Sequence, residues 1–221
     1  MESPRDREGM ARFGINPKNT LGISIYKLRP MAKEIGYDHK LALKLWASGI
    51  HEACILAVFI DDPELVTPMQ MESWAKDFDS WDVCDQACTS LLDGTQFAWT
   101  KATEWAKRDE EFIKRGAFAL MAGLAVHDKK ATDADFSKLF PIIKSASTDE
   151  RNFVRKAVNW ALRNIGKRNL ALNKKAIACA KEIQKLDSKA ARWIAADALR
   201  ELQGEKVQER LKIKLQKRAA Q

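Results

Sequence analysis

The chain has 221 residues, 46% hydrophobic and 31% charged, with a net charge of +8. That balance excludes a disordered chain, and no apolar run reaches the ~20 residues that span a bilayer. Residues 1–7 are polar and lack the apolar stretch of a secretory signal, which points to a cytoplasmic protein with no membrane partner.

Apolar residues recur at three- and four-residue steps almost throughout, and strand-like alternation is nearly absent. The periodicity predicts helices over about residues 21–35, 39–48, 50–60, 68–77, 80–92, 96–107 and 110–127. Further helices follow over about 133–146, 150–165, 169–186, 188–203 and 205–219. Asp62-Pro63 and Thr67-Pro68 each place a cap before a proline that suits a first helical turn. Asp38, Asp149 and Asp187-Ser188 are further cap candidates. The last segment, Lys206–Arg218, reads as either a capping helix or a mobile basic tail. Val207, Leu211 and Leu215 share one face, which favours the helix.

The helices repeat. Phe112–Leu124 aligns with Phe153–Ile165 at a step of 41 residues, and the latter with Ala190–Leu202 at a step of 37. Basic residues lie near the start of each copy, paired in the first two, and small or apolar residues follow at helical spacing. A period near ~40 built of two helices is that of HEAT and armadillo arrays, in which neighbours stack because one pair cannot bury its apolar face alone. The expected fold class is therefore all-α, a right-handed α-solenoid of HEAT-like helix pairs with a concave basic face. Residues 1–221 are expected to form a single repeat domain, with 1–20 a partly ordered N-terminal segment and 205–219 a basic C-terminal cap.

Charge is unevenly shared. Residues 1–149 hold 19 Lys and Arg against 23 Asp and Glu, a balance of −4; residues 150–221 hold 19 against 7, a balance of +12. A basic block beside a mildly acidic one suits a polyanion, although a solvated basic surface gives the same bias. The cysteines, Cys54, Cys84, Cys88 and Cys179, form no CxxC pair, and their spacing suits buried packing. His39, His51 and His127 match no metal or triad signature, so no metal site is expected.

Two segments set a tryptophan among charges. On a helix, Trp81 and Asp85 lie one turn apart, and Lys156, Trp160 and Arg163 share another face. With Lys114-Arg115 and Arg155-Lys156 at equivalent repeat positions, and Arg192 following suit, these residues fall on the inner helices. Taken singly, Trp81 reads equally as a packing residue, and Asp85, Arg115 and Lys156 as solvated charges. Together they suit DNA carrying an alkylated purine. Alkylation at N3 or N7 puts positive charge on the base and weakens its bond to the sugar. Indole faces attract a cation by ~0.5–2 kcal/mol per contact. A carboxylate stabilises the oxocarbenium-like sugar of hydrolysis and orients water.

At these residues the chain resembles the bacterial AlkD-type DNA alkylation-repair proteins, which are HEAT-like-repeat DNA glycosylases. The likeness runs from Met10 to about Arg200. It is carried by Met10-Ala-Arg-Phe13, Leu21-Gly-Ile23, Trp81-Asp-x-x-Asp85, Lys114-Arg115-x-Ala117 and Phe153-Val-x-Lys156-Ala-x-x-Trp160-x-Leu-Arg163. The resemblance implies excision of cationic alkylated purines from duplex DNA without base flipping. It implies lesion contact by Trp81, Trp160 and Asp85, and backbone contact by Arg115, Lys156 and Arg163, with Arg192 and Phe13 along the same face. It implies no cofactor, a monomer, and a bacterial, nucleoid-associated setting. Phe13 stands where the active relatives carry tyrosine, and the N-terminal helix is expected to be missing or stunted. Two other readings stand beside this one: a non-enzymatic module binding damaged or branched DNA, and a protein-binding solenoid using the acidic half.

Overall fold

The computed structural model describes residues 4–219, and among these every regular element is helical. The chain forms two compact units that meet in sequence between Ala98 and Trp99. The first holds α1 (Pro4–Arg12), α2 (Ile25–Ile35), α3 (His39–Ala47), α4 (His51–Ile60), α5 (Pro68–Lys76), α6 (Trp81–Ser90) and a 3-10 turn, Leu92–Gly94. From the boundary onward run α7 (Ala98–Trp105), α8 (Glu111–His127), α9 (Asp133–Ser137), α10 (Phe140–Ala146), α11 (Asn152–Gly166), α12 (Leu170–Gln184), α13 (Lys189–Leu202) and α14 (Glu205–Ala219).

In the first unit α4 is the centre, packed by α2, α3 and α6 and buried along almost its whole length. A carboxylate inside that helix shapes the chain before α2. Glu52, 2% exposed, accepts from the backbone N–H groups of Leu21 (2.9 Å), Gly22 (2.7 Å) and Ile23 (3.1 Å). Gly22 takes φ 80°, a left-handed value that glycine adopts without Cβ strain. Those three donors go to Glu52, and α2 starts at Ile25 rather than at residue 21. Trp46 and Trp74 stack at 3.9 Å, joining α3 to α5, and the Trp46 indole donates to Asp77 (2.9 Å). These two indoles belong to the core.

In the second unit α11 lies between α8 and α13, while α12 packs against both α11 and α13. α9 and α10 continue the row of α12, so two layers of helices result. The repeat is visible in the bonds between its copies. Phe112 and Phe153, equivalent by the 41-residue step, meet at 5.3 Å. Asn164 donates to the Ala122 carbonyl 42 residues back, and Asn159 to Asp197 38 residues on. Equivalent positions touch because stacked pairs bring each helix onto its own copy. Gly166 ends α11 in the tightest of these contacts. A Cβ there would lie 2.7 Å from Leu202 Cδ2 and 2.9 Å from Ala176 Cβ. Gly166→Ala should therefore lower stability by about 1–3 kcal/mol, since a packed helix must shift; a urea unfolding series measures it.

The structure corrects several boundaries. The expected helix 133–146 is two, α9 and α10, because Pro141 sits in the first turn of the second. Its ring and missing N–H oppose a continuous helix through Ser137. Residues 4–12, expected as part of a partly ordered segment, form α1. Thr67, Asp38 and Ser188 cap their helices as expected, accepting from Gln70, Leu41 and Ala191. Asp62 instead accepts from the N–H of Glu64 in a turn, and no helix begins at Pro63. Asp149 is paired with Arg151, the residue that flanks α11.

The four cysteines are free thiols and buried. Burial, with the charges of Asp77 and Asp79, pushes Cys54 up to about 12, and burial pushes Cys179 up to about 11, so neither is a thiolate at neutral pH.

Candidate nucleic-acid interface

α6 turns Val83, Cys84, Ala87 and Cys88 into the first unit. Trp81 and Asp85 lie on its other side, both half-buried and one turn apart. The Trp81 indole N–H donates to the Phe13 carbonyl (2.9 Å), which fixes the ring. Phe13 itself is 76% exposed. Phe13, Trp81 and Asp85 are thus brought together within one unit.

The residue between the pair is tied inward. Asp82 meets His51 Nε2 at 2.9 Å, and its other oxygen is buried with no hydrogen-bond partner among the described residues. Burial lowers the His51 pKa, but the hydrogen bond and charge of Asp82, joined by Glu52 and Asp79, raise it above 6.5 on balance. A raised folded-state value means that the contribution to stability is complete below about 6.5 and is lost as pH rises through the folded pKa. Unfolding free energy should therefore fall on going from mildly acidic to mildly alkaline buffer. In Asp82→Asn that decline should flatten, as urea titrations at several pH values would reveal.

In the second unit α11 presents Lys156, Trp160 and Arg163 at steps of four and three residues, one stripe of the helix, and Lys167, which caps its C-terminal end, follows four residues on. Lys156 is exposed and makes no ion pair among the described residues. Trp160 is half-buried, and its indole N–H has no hydrogen-bond partner among them. Arg163 is not free: it lies 3.5 Å from Asp197 and bonds to Glu201, both on α13. Lys167 reaches Glu201 at 2.7 Å. Burial raises the Glu201 pKa, but the bonds and charges of Lys167 and Arg163 outweigh it and hold the carboxyl below its usual range.

Arg115 is turned inward. It is 6% exposed and donates from Nη1 to the Phe153 carbonyl (2.6 Å), bracing the start of α11 against α8. Arg192 is exposed and pairs with Asp187 at 3.1 Å. Of the expected cations, Lys156 and Arg192 are the accessible ones, while Arg115 and Arg163 hold helices in place. Sequence reasoning missed Lys167, although it follows Trp160 by seven residues on the same face. It also missed the acids that occupy Arg163, which lie one repeat farther along.

Among the described residues no helix is long and apolar enough to cross a membrane. The helix pairs and their repeat-to-repeat bonds define an all-helical repeat fold. It is the HEAT-like repeat fold: a solved structure described as a new family of proteins related to the HEAT-like repeat DNA glycosylases, with affinity for branched DNA structures, matches with a TM-score of 0.74. That structure is 20% identical to this chain and covers 89% of it and 88% of its own length. The family model for the DNA alkylation repair enzyme matches residues 1–203, and the chain belongs to that family. No curated protein sequence matches it.

Proposed function

We propose that the chain is a monofunctional DNA glycosylase excising cationic N3- or N7-alkylated purines from duplex DNA, in base excision repair and without base flipping. The observation that carries this reading is the carboxylate of Asp85 one turn from the indole of Trp81, on the open side of α6. Water adds to the anomeric carbon as the bond to the purine nitrogen breaks. The bonding pair stays with the base, whose positive charge it cancels, and the water proton passes to solvent. Asp85 stabilises the cationic sugar in between and orients the water. Trp81 in the first unit and Trp160 in the second each offer a ring that attracts a cationic base. Lys156 and Arg192 bind phosphates, Phe13 contacts the DNA beside Trp81, and Arg115 and Arg163 position α11. No metal or cofactor enters the scheme, and one copy of the chain suffices.

The first test is binding. Fluorescence anisotropy should show tighter binding to alkylated than to unmodified duplex, and Trp160→Ala should abolish the difference. Equal affinity of the wild type for both duplexes would remove the lesion from the account.

A second reading, binding of branched or damaged DNA without chemistry, is favoured by the pairing of Arg163 with two acids and by the branched-DNA affinity of the structural relative. It predicts salt-dependent binding that Trp81→Ala and Asp85→Asn leave intact, with no base released by the wild type.

A further inference from the structure

Six cations of the second unit, five of them outside the α11 stripe, collect in one place. A groove of about 550 Å3 opens between the C-terminal ends of α8 and α11 and the flank of α14. Lys129, Lys167 and Arg168 line one wall and Arg210, Lys214 and Lys217 the other; no carboxylate lines it. Arg210, Lys214 and Lys217 follow one another by four and three residues, so a single face of α14 supplies its wall.

Some of these charges have structural work. Lys214 Nζ donates to the carbonyls of Lys167 (3.0 Å) and Arg168 (3.4 Å), docking α14 on the end of α11. Arg168 donates to the carbonyls of Ala125 and Ala131 and lies 4.4 Å over the Phe136 ring. Lys167 is paired with Glu201. Lys129 bonds to the Val126 carbonyl. Arg210 and Lys217 are exposed and have neither hydrogen bond nor ion pair among the described residues. Each helix C-terminus offers only about half a negative charge, so two helix ends do not balance even Lys129, Arg210 and Lys217. Facing walls of one sign repel each other until an anion lies between them.

We propose that this groove holds one sugar–phosphate strand, a single-stranded nucleic-acid segment adjoining the duplex engaged at Trp160. The proposal rests on the DNA-binding reading above and adds the place where a single strand leaves the duplex. Size favours the strand: a volume of about 550 Å3 takes one backbone and not a whole duplex, whose two grooves alone measure about 12 and 6 Å across. Position agrees, because Lys167 lies two helical turns, roughly 10 Å, beyond Trp160 along α11. No aromatic ring lines the groove, so the strand is held by its phosphates and its bases are not read.

The experiment compares a blunt duplex with the same duplex carrying a single-stranded tail, each titrated with wild type and with R210E/K217E. Both substituted side chains are exposed, and thermal melting checks the fold. The tail should tighten wild-type binding about tenfold, and the double variant should lose that gain. The slope of log affinity against log salt should fall by about 0.7 per lost contact. Blunt-duplex affinity should stay within about twofold, since the inner stripe is untouched. A tail that adds nothing, a gain that survives in R210E/K217E, or an equal loss on blunt duplex overturns the single-strand site. Failure of the wild type to bind either DNA overturns the DNA-binding reading itself.

Discussion

Asp85→Asn should reduce release of alkylated purine by a factor of about 10²–10³ while leaving affinity for alkylated duplex nearly unchanged. The magnitude is that of removing one preorganised group aimed at charge that develops only in the transition state. The split between rate and affinity follows from the same argument, because an interaction absent from the ground state does not report in binding. Asn keeps the size of the side chain and its hydrogen-bonding oxygen but not its charge, so the packing around α6 is preserved. Single-turnover release from alkylated duplex, beside anisotropy on the same DNA, separates the two quantities. Equal loss of both would make Asp85 a structural residue of α6; loss of neither would remove it from the chemistry.

Glu52→Ala should lower the stability of the chain by about 3–5 kcal/mol. Three backbone donors, from Leu21, Gly22 and Ile23, converge on this one carboxylate of α4. Each buried donor left unpaired costs about 1–3 kcal/mol, and partial access to water keeps the sum below the maximum. Glutamine should restore only part of the loss, since its carbonyl oxygen can still accept from Gly22 and Ile23 while its NH2 would face the Leu21 N–H. The effect should extend to function. The segment that Glu52 holds continues from Phe13, whose carbonyl orients Trp81, and Asn16 within it donates to Asp79 at 2.7 Å. Chemical denaturation measures the stability. Unchanged unfolding of Glu52→Ala would mean that the 21–23 segment satisfies its donors elsewhere.

The helices were legible wherever an apolar stripe met a good cap. Thr67-Pro68, Asp38 and Ser188 marked true starts because nothing else competed for their oxygens. Asp62 and Asp149 misled for one shared reason: a nearby donor took the carboxylate, Glu64 N–H in one case and Arg151 in the other. α1 lacked an apolar stripe to announce it, and Pro141 split a helix whose apolar rhythm runs straight through it. The repeat was legible in Phe112 and Phe153, which prove to be ring neighbours.

The candidate site was legible only as composition. Spacing on one helix places Trp81 beside Asp85 and Lys156 beside Trp160. It does not reveal that Arg115 points inward to Phe153, or that Asp197 and Glu201 neutralise Arg163 from the next repeat. Both facts arise from stacking, where a residue meets partners some forty positions away. A helical wheel drawn on one element cannot include them. The groove beside α14 was hidden in the same way, since its two walls come from helices remote in sequence.

The most direct test of the central claim is release of free base from duplex DNA carrying N7-methylated guanine, followed by chromatography with the wild-type chain in excess. Release should be faster than spontaneous depurination, with intact strands bearing abasic sites left behind. Release at the spontaneous rate, from DNA that the protein demonstrably binds, would contradict it.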